Sequence, residues 1–396
     1  MKKPTDFFAS WIGIVIVGLI IGCLAVTLQH YGNPGNMGVC MACFARDIAG
    51  ALGLHRAAVV QYLRPEIPAF CLGSFLAALA FREFRPRTGS APVVRFILGM
   101  FAMFGALVFL GCPWRAVLRL AGGDWNAITG IVGLAVGIAV GVQFLRVGFS
   151  LGRSYPTRRL TGLAMPLVMV VLLALAIWYP NFTPKPPAST KPDSKPAATM
   201  TAQPATPAPP PAALFRSTSG PGASHAPVAF SIVAGLVIGF LAQRTRFCTV
   251  GGIRDVILMR DFHLLSGVLS FLVAAFVLNL VFHQFHPGFT LGTTPEGQPI
   301  QQPAAHTVQW LNFGGMLLAG LSFTLAGGCP GRQVFLAGEG DGDAALFVLG
   351  MLTGAAVAHN FVMVGNGPLA PHIVVIGLVV VVVIGIVGRE KLAPGR

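Results

Sequence analysis

Ala326-Gly327-Gly328-Cys329-Pro330-Gly331-Arg332 decides how this chain is read, because a shortened copy, Gly111-Cys112-Pro113-Trp114-Arg115, stands 217 positions earlier. The correspondence continues at the same offset: Val117 with Val334, Gly133 with Gly350, Gly137 with Gly354, Phe144 with Phe361, Gly148 with Gly365. Upstream, Cys40 followed by Arg46-Asp47 matches Cys248 followed by Arg254-Asp255, here at an offset of 208. Gly18 to Gly22 matches Gly235 to Gly239 at 217 again, so the second unit is nine residues shorter before Cys248 and recovers the difference in the longer loop near 283–309. Repetition on this scale means one ancestral unit, carrying two cysteines, has been duplicated.

The composition fixes the solvent of both copies. With 54% hydrophobic and 10% charged residues and a mean hydropathy of +0.74, the chain is not an ordinary soluble domain. Its apolar runs are long enough to cross about 30 Å of hydrocarbon. The formal charge of +14 does not point to nucleic acid, because the basic residues lie in loops between apolar runs rather than in one patch. Seven cysteines scattered over 396 residues are not a disulfide scaffold. Lys2 and Lys3 precede an apolar run from about 11 to 28, but no small-residue cleavage pattern follows, so this run reads as a span.

Ten spans are expected, near 9–28, 66–83, 92–111, 125–145, 160–179, 227–243, 264–283, 310–328, 343–363 and 371–388. The organisation is a first transmembrane repeat over 1–180, a Pro/Ala/Thr-rich flexible linker over 181–226 that can bury nothing, and a second repeat over 227–396. Placing both termini in the cytoplasm puts 18 of the 27 lysines and arginines on that side, the sense of the positive-inside rule. Five spans per half then make the repeats inverted. The fold class is an all-α polytopic membrane protein of two inverted five-span repeats with short re-entrant half-helices, the sequence signature of a transporter with a midplane site. Gly18/Gly22, Gly235/Gly239, Gly133/Gly137 and Gly350/Gly354 are small-xxx-small pairs suited to close helix packing.

Within each Gly-Cys-Pro-x-Arg motif, Gly111 and Gly328 are expected to end a span, and Pro113 and Pro330 to open a new helix. That would leave Cys112 and Cys329 at helix N-termini, where backbone N–H groups and the helix dipole favour anions. The segments 113–122 and 330–339 are too brief to span, and those following Cys40 and Cys248 have the same character. Cys23 and Cys71 lack the repeat's support and read as small apolar fillers. Cys43 forms Cys-x-x-Cys with Cys40, but Gly251 stands at the matching place in the second half. Arg46/Asp47 and Arg254/Asp255 are expected to reach for different partners, since adjacent helical positions face apart; they brace the half-helices or attract an anion, as do Arg115 and Arg332. Gln143 and Asn360 occupy matching positions and hydrogen-bond either a neighbouring helix or substrate. His283, His286 and His306 lack tight ligand spacing, so neither a metal nor any other cofactor is expected.

The duplicated Gly-Cys-Pro motifs at Cys112 and Cys329, with the Cys-x5-Arg-Asp blocks at Cys40 and Cys248, resemble the YeeE/YedE family of bacterial inner-membrane proteins. The long form with a central linker is similar to its selenium-metabolism type. The resemblance implies a pseudosymmetric helical protein with Cys40, Cys112, Cys248 and Cys329 along a narrow path, taking up thiosulfate or a related sulfur or selenium anion. It also implies a small cytoplasmic sulfur-carrier protein as partner, besides membrane lipid. The alternative is a membrane thiol–disulfide or chalcogen oxidoreductase using Cys40 and Cys43.

Overall fold

The computed structural model describes residues 7–178, 214–295 and 297–389; the greater part of the expected linker and both extreme termini lie outside the described residues. Each half has the same order of helices: long, short, long, long, short, long, long. In the first half these are α1 (Trp11–His30), α2 (Met41–Ala51), α3 (Glu66–Ala80), α4 (Pro92–Phe109), α5 (Pro113–Ala121), α6 (Asn126–Arg146) and α7 (Arg159–Trp178). In the second they are α8 (Val228–Thr245), α9 (Thr249–Met259), α10 (His263–Val281), α11 (Gln309–Ala326), α12 (Pro330–Gly338), α13 (Gly342–Asn360) and α14 (Ala370–Val387).

Among the described residues, nine helical segments are long and apolar enough to cross a membrane. The protein is a multi-pass helical membrane protein. The tenth expected span is α3, whose 15 residues reach only about 22 Å at 1.5 Å per residue. It starts after Pro65, and Glu66 anchors that end by accepting from Asn33 Nδ2 and Ser231 Oγ, both at 2.9 Å.

The two halves pack by exchange. α6 lies on α11 and α13 on α4; α1 lies on α10 and α8 on α3; α4 and α11 meet at the centre. The small-xxx-small pairs make these approaches possible, because lipid offers helices little hydrophobic reason to associate and close packing must supply it. A Cβ at Gly133 or Gly137 would collide with the carbonyls of Phe313 or Leu317, and one at Gly350 with that of Phe96. At Gly22 it would stand 2.6 Å from Phe271 O. Packing therefore accounts for all four pairs. The last helices depart from the symmetry, since α7 packs on α3 whereas α14 packs on α11 and α4.

Loop contacts mark two ends. At one, Gly365 N–H donates to Leu107 O at 2.9 Å and Asp124 bridges to Gly288. At the other, Arg87 pairs with Asp341 at 2.7 Å and Arg244 with Glu83 at 3.0 Å. Residues 214–226 were expected to bury nothing, yet they form a strap at the first end. Phe215 and Ser217 donate to Ala51 O and Gln61 O, and Arg64 holds Pro221 O and Ser224 O at 2.6 and 3.0 Å. His225 stacks on Tyr62 with ring centroids 4.6 Å apart. Small residues and free carbonyls, rather than apolar bulk, carry this docking, which is why composition concealed it.

Candidate functional site

All four repeat cysteines are N-cap residues: Cys40 of α2, Cys112 of α5, Cys248 of α9 and Cys329 of α12. Three of them cap with sulfur. Cys40 Sγ accepts from Cys43 N–H at 3.3 Å, Cys248 Sγ from Gly251 N–H at 3.2 Å and Cys329 Sγ from Arg332 N–H at 3.5 Å. Each cysteine fills the place that Ser, Thr, Asp or Asn holds at an ordinary helix start. Pro113 and Pro330 then suit the first helical position, whose N–H has no intrahelical partner.

The expected role of the motif glycine is corrected. α4 and α11 are ended one residue earlier, by left-handed Leu110 (φ 65°) and Gly327 (φ 93°). What Gly111 and Gly328 provide is room for the motif arginines. A Cβ there would lie 3.0 Å from Arg115 Cδ and 3.1 Å from Arg332 Cγ, tight enough to push the folded-back stems away.

The cysteines form two pairs. Cys40 Sγ and Cys112 Sγ are 3.7 Å apart, and Cys248 Sγ accepts from Cys329 N–H at 3.4 Å. All four are free thiols, between 0% and 5% exposed. Cys43 joins the first pair, its Sγ 3.7 Å from both Leu110 O and Arg115 Nη1. The short helices bring the pairs close together, α2 touching α12 and α5 touching α9.

Two residues after Cys112 stands the centre of an aromatic cluster. The Trp114 indole packs against Phe247, Phe271 and Phe335 at centroid distances of 5.4, 5.8 and 6.2 Å. Trp114 is 1% exposed, and its Nε1 has no hydrogen-bond partner.

The charges differ at the two ends. Arg115 is fully buried, and among the described residues no carboxylate forms an ion pair with it. Its guanidinium instead holds the carbonyls of Asn36, Leu110 and Pro303. Beyond Asn36 opens a cavity of about 360 Å³, where Gln29, Asn33, Gln284, His286 and Gln302 line the wall together with Leu291 and Pro303. Arg332 pairs with Glu339 at 3.1 Å on the wall of a cavity of about 200 Å³ that also takes Arg85, Arg87, Arg246 and Glu83.

The expectation that Arg46 and Asp47 reach apart is wrong. Arg46 Nε and Nη2 donate to Asp47 Oδ1 at 2.9 and 2.7 Å, and Arg254 meets Asp255 at 2.8 Å. The long arginine side chain bends across the 100° between successive positions, because a buried cation with no nearer acid must do so. Asp47 also accepts from Arg64 Nε at 2.8 Å, a residue with no counterpart in the second half. Sequence reasoning missed Arg64 and Trp114. The variable place inside the motif was the only signal for Trp114.

Gln143 is exposed, and Asn360 donates to Leu54 O at 3.0 Å, so neither meets the cysteines. Among the described residues no group of three or more His, Cys, Asp or Glu could hold a metal ion.

A family model described as sulphur transport matches residues 244–386, from the end of α8 into α14, including Cys248 and Cys329. The match over these residues supports the resemblance to the YeeE/YedE family that the duplicated motifs carry. The family is one of transporters, not enzymes, and the first half repeats the sulphur-transport half motif for motif. No curated protein matches the chain.

Proposed function

We propose that this protein takes a small sulfur- or selenium-containing anion, such as thiosulfate, across the bacterial inner membrane, handing it from Cys40 and Cys112 to Cys248 and Cys329. The observation that carries this reading is the placement of all four cysteines as N-caps of short helices, gathered in two pairs. A helix N-terminus offers unpaired N–H groups and a positive dipole end. A thiol adds a weak donor that holds a soft anion without trapping it, and weak sites in series permit release. Arg115 supplies buried positive charge at the first pair, and the arginine-lined cavity beside Arg332 does so at the second. Arg46, Asp47, Arg254 and Asp255 brace the short helices, Pro113 and Pro330 start them, and Gly111 and Gly328 admit the arginines.

Inverted repeats are the topology proposed for this path. Supporting it are the repeated helix order, the exchanged packing, and the first pair's place at the end of the molecule where α1 finishes and α8 starts. The bias of 18 of 27 basic residues supports cytoplasmic termini. The cavity beside Arg332 would then face the cytoplasm, where a small sulfur-carrier protein could receive the product.

Moving a dianion inward against an inside-negative potential costs about 4.6 kcal/mol per 100 mV. The sequence has no G-x-x-x-x-G-K-[ST] nucleotide-binding loop. Uptake therefore runs on an ion gradient, a protonated substrate or rapid consumption inside.

The test is uptake of labelled thiosulfate, selenite and selenosulfate by cells carrying wild type, Cys112→Ala or Cys329→Ala. Loss in both variants is expected; unchanged uptake of every substrate in both ends the proposal. Should Cys43→Ala abolish function while Cys329→Ala preserves it, the oxidoreductase reading takes over. Cys40 Sγ has Cys112 Sγ for a neighbour at 3.7 Å, and Cys43 Sγ also contacts Leu110 O and Arg115, so Cys40 and Cys43 are not set apart as an exclusive pair.

A further inference from the structure

We infer that Trp114 is the gate between the two thiol pairs and that its indole N–H is a contact point for the anion in transit; this rests on the transport reading above. Three observations converge on it. Trp114 directly follows Cys112-Pro113, so the chain that positions the first pair's thiol also positions the ring. Its equivalent in the second repeat is Gly331, and the two face each other. A Cβ at Gly331 would stand 3.5 Å from Trp114 Cζ2, 3.5 Å from Met41 Cε and 3.6 Å from Phe335 Cε2. The indole therefore lies over a motif position that has no side chain, with the residue that follows Cys40 beside it. Third, Nε1 is buried without a hydrogen-bond partner. Leaving a buried donor unmade is costly, and packing alone would be served equally well by phenylalanine, as Phe247, Phe271 and Phe335 around it show.

One further donor among the capping segments shares this unmet capacity. Thr249 Oγ1, next to Cys248, is a hydroxyl that is also buried and unpartnered. Unpartnered donors thus follow two of the four capping cysteines in sequence, Cys112 and Cys248. An oxyanion accepts from Trp114 Nε1 and Thr249 Oγ1 and satisfies both. In its absence the aromatic ring closes the way between the pairs. Substrate passage requires the indole to swing off Gly331, and the missing side chain there makes the swing short.

The test has two arms. In sealed membrane vesicles, a small anionic methanethiosulfonate is added on the side of Cys40 and Cys112, and modified cysteines are identified by peptide mass spectrometry. Cys248 and Cys329 stay unmodified in wild type and become modified in Trp114→Ala; a labelling pattern unchanged by that substitution overturns the gate. This arm needs no transport activity, so it stands or falls separately from the function proposed above. The second arm is labelled-anion uptake by Trp114→Phe, which keeps the ring and loses the N–H. Its half-saturating concentration rises about tenfold with little change in maximal rate, the scale of one hydrogen bond to a charged group. An unchanged half-saturation overturns the contact. If Trp114→Ala cannot be recovered folded, Gly331→Ala replaces it, because the added methyl meets only ordinary van der Waals distances. It lowers the maximal rate by narrowing the space through which the ring must move, and a wild-type rate overturns the gate.

Discussion

Replacing Asp47 by Asn isolates what holds the first cysteine-capped helix in place. Asp47 is fully buried, and its two oxygens take Arg46 at 2.7 Å and Arg64 at 2.8 Å, both cations 2% exposed or less. Arg46 has no other guanidinium partner among the described residues, whereas Arg64 also holds two strap carbonyls. Removing one partner of a buried pair leaves an uncompensated charge and costs about 3–5 kcal/mol. The repeat supplies its own control. In the second half Arg254 is 27% and Asp255 11% exposed, and a pair that water reaches is worth about 1 kcal/mol or less. Asp47→Asn should therefore destabilise at least twofold more than Asp255→Asn. At roughly 2 °C per kcal/mol for a large chain, the gap in melting temperature is on the order of 5 °C. Thermal unfolding of the detergent-solubilised protein, with size-exclusion profiles of both variants, measures it. Equal losses in the two would refute the view that Asp47 neutralises two buried cations. Loosening α2 also displaces its cap, so uptake by Asp47→Asn should fall well before the protein melts.

Mild oxidation should join Cys40 to Cys112, since 3.7 Å between sulfurs leaves under about 2 Å to close to bonding distance. Non-reducing peptide mass spectrometry identifies the product, and a dominant Cys40–Cys43 link would contradict the pairing. Gly350→Val should cost about 1–3 kcal/mol or more by driving α13 off the Phe96 carbonyl of α4. Gly327→Ala should cost only the left-handed backbone, about 1 kcal/mol, because nothing lies within 4 Å of the added methyl. Melting temperatures of the two, side by side, separate helix–helix clash from backbone strain.

The helical elements were largely legible because each follows from local chemistry repeated twice. Apolar runs set the spans, and the prolines after Cys112 and Cys329 set two of the short helices and left a cysteine at each N-cap. What was not legible depends on partners distant in sequence. The link from Arg64 to Asp47 and the strap carbonyls joins segments up to 160 positions apart, and nothing in its own neighbourhood marks it. The pairing of Arg46 with Asp47 contradicts an angular rule that holds for short side chains and fails for a long one deprived of water. Trp114 was hidden by its position as the variable letter of a motif. Comparing the two copies for what they keep displays Cys, Pro and Arg; comparing them for what they exchange displays Trp114 against Gly331.

Exchanged packing means that neither half owns a complete interior. α6 finds its groove on α11, α13 on α4, α1 on α10 and α8 on α3, so a chain ending after α7 would present bare glycine furrows to lipid with nothing to fill them. Such a protein behaves as a dimer written on one strand. Two fragments inserted together could complete each other, and before the duplication a single-unit ancestor would have needed a second copy of itself to close the same furrows.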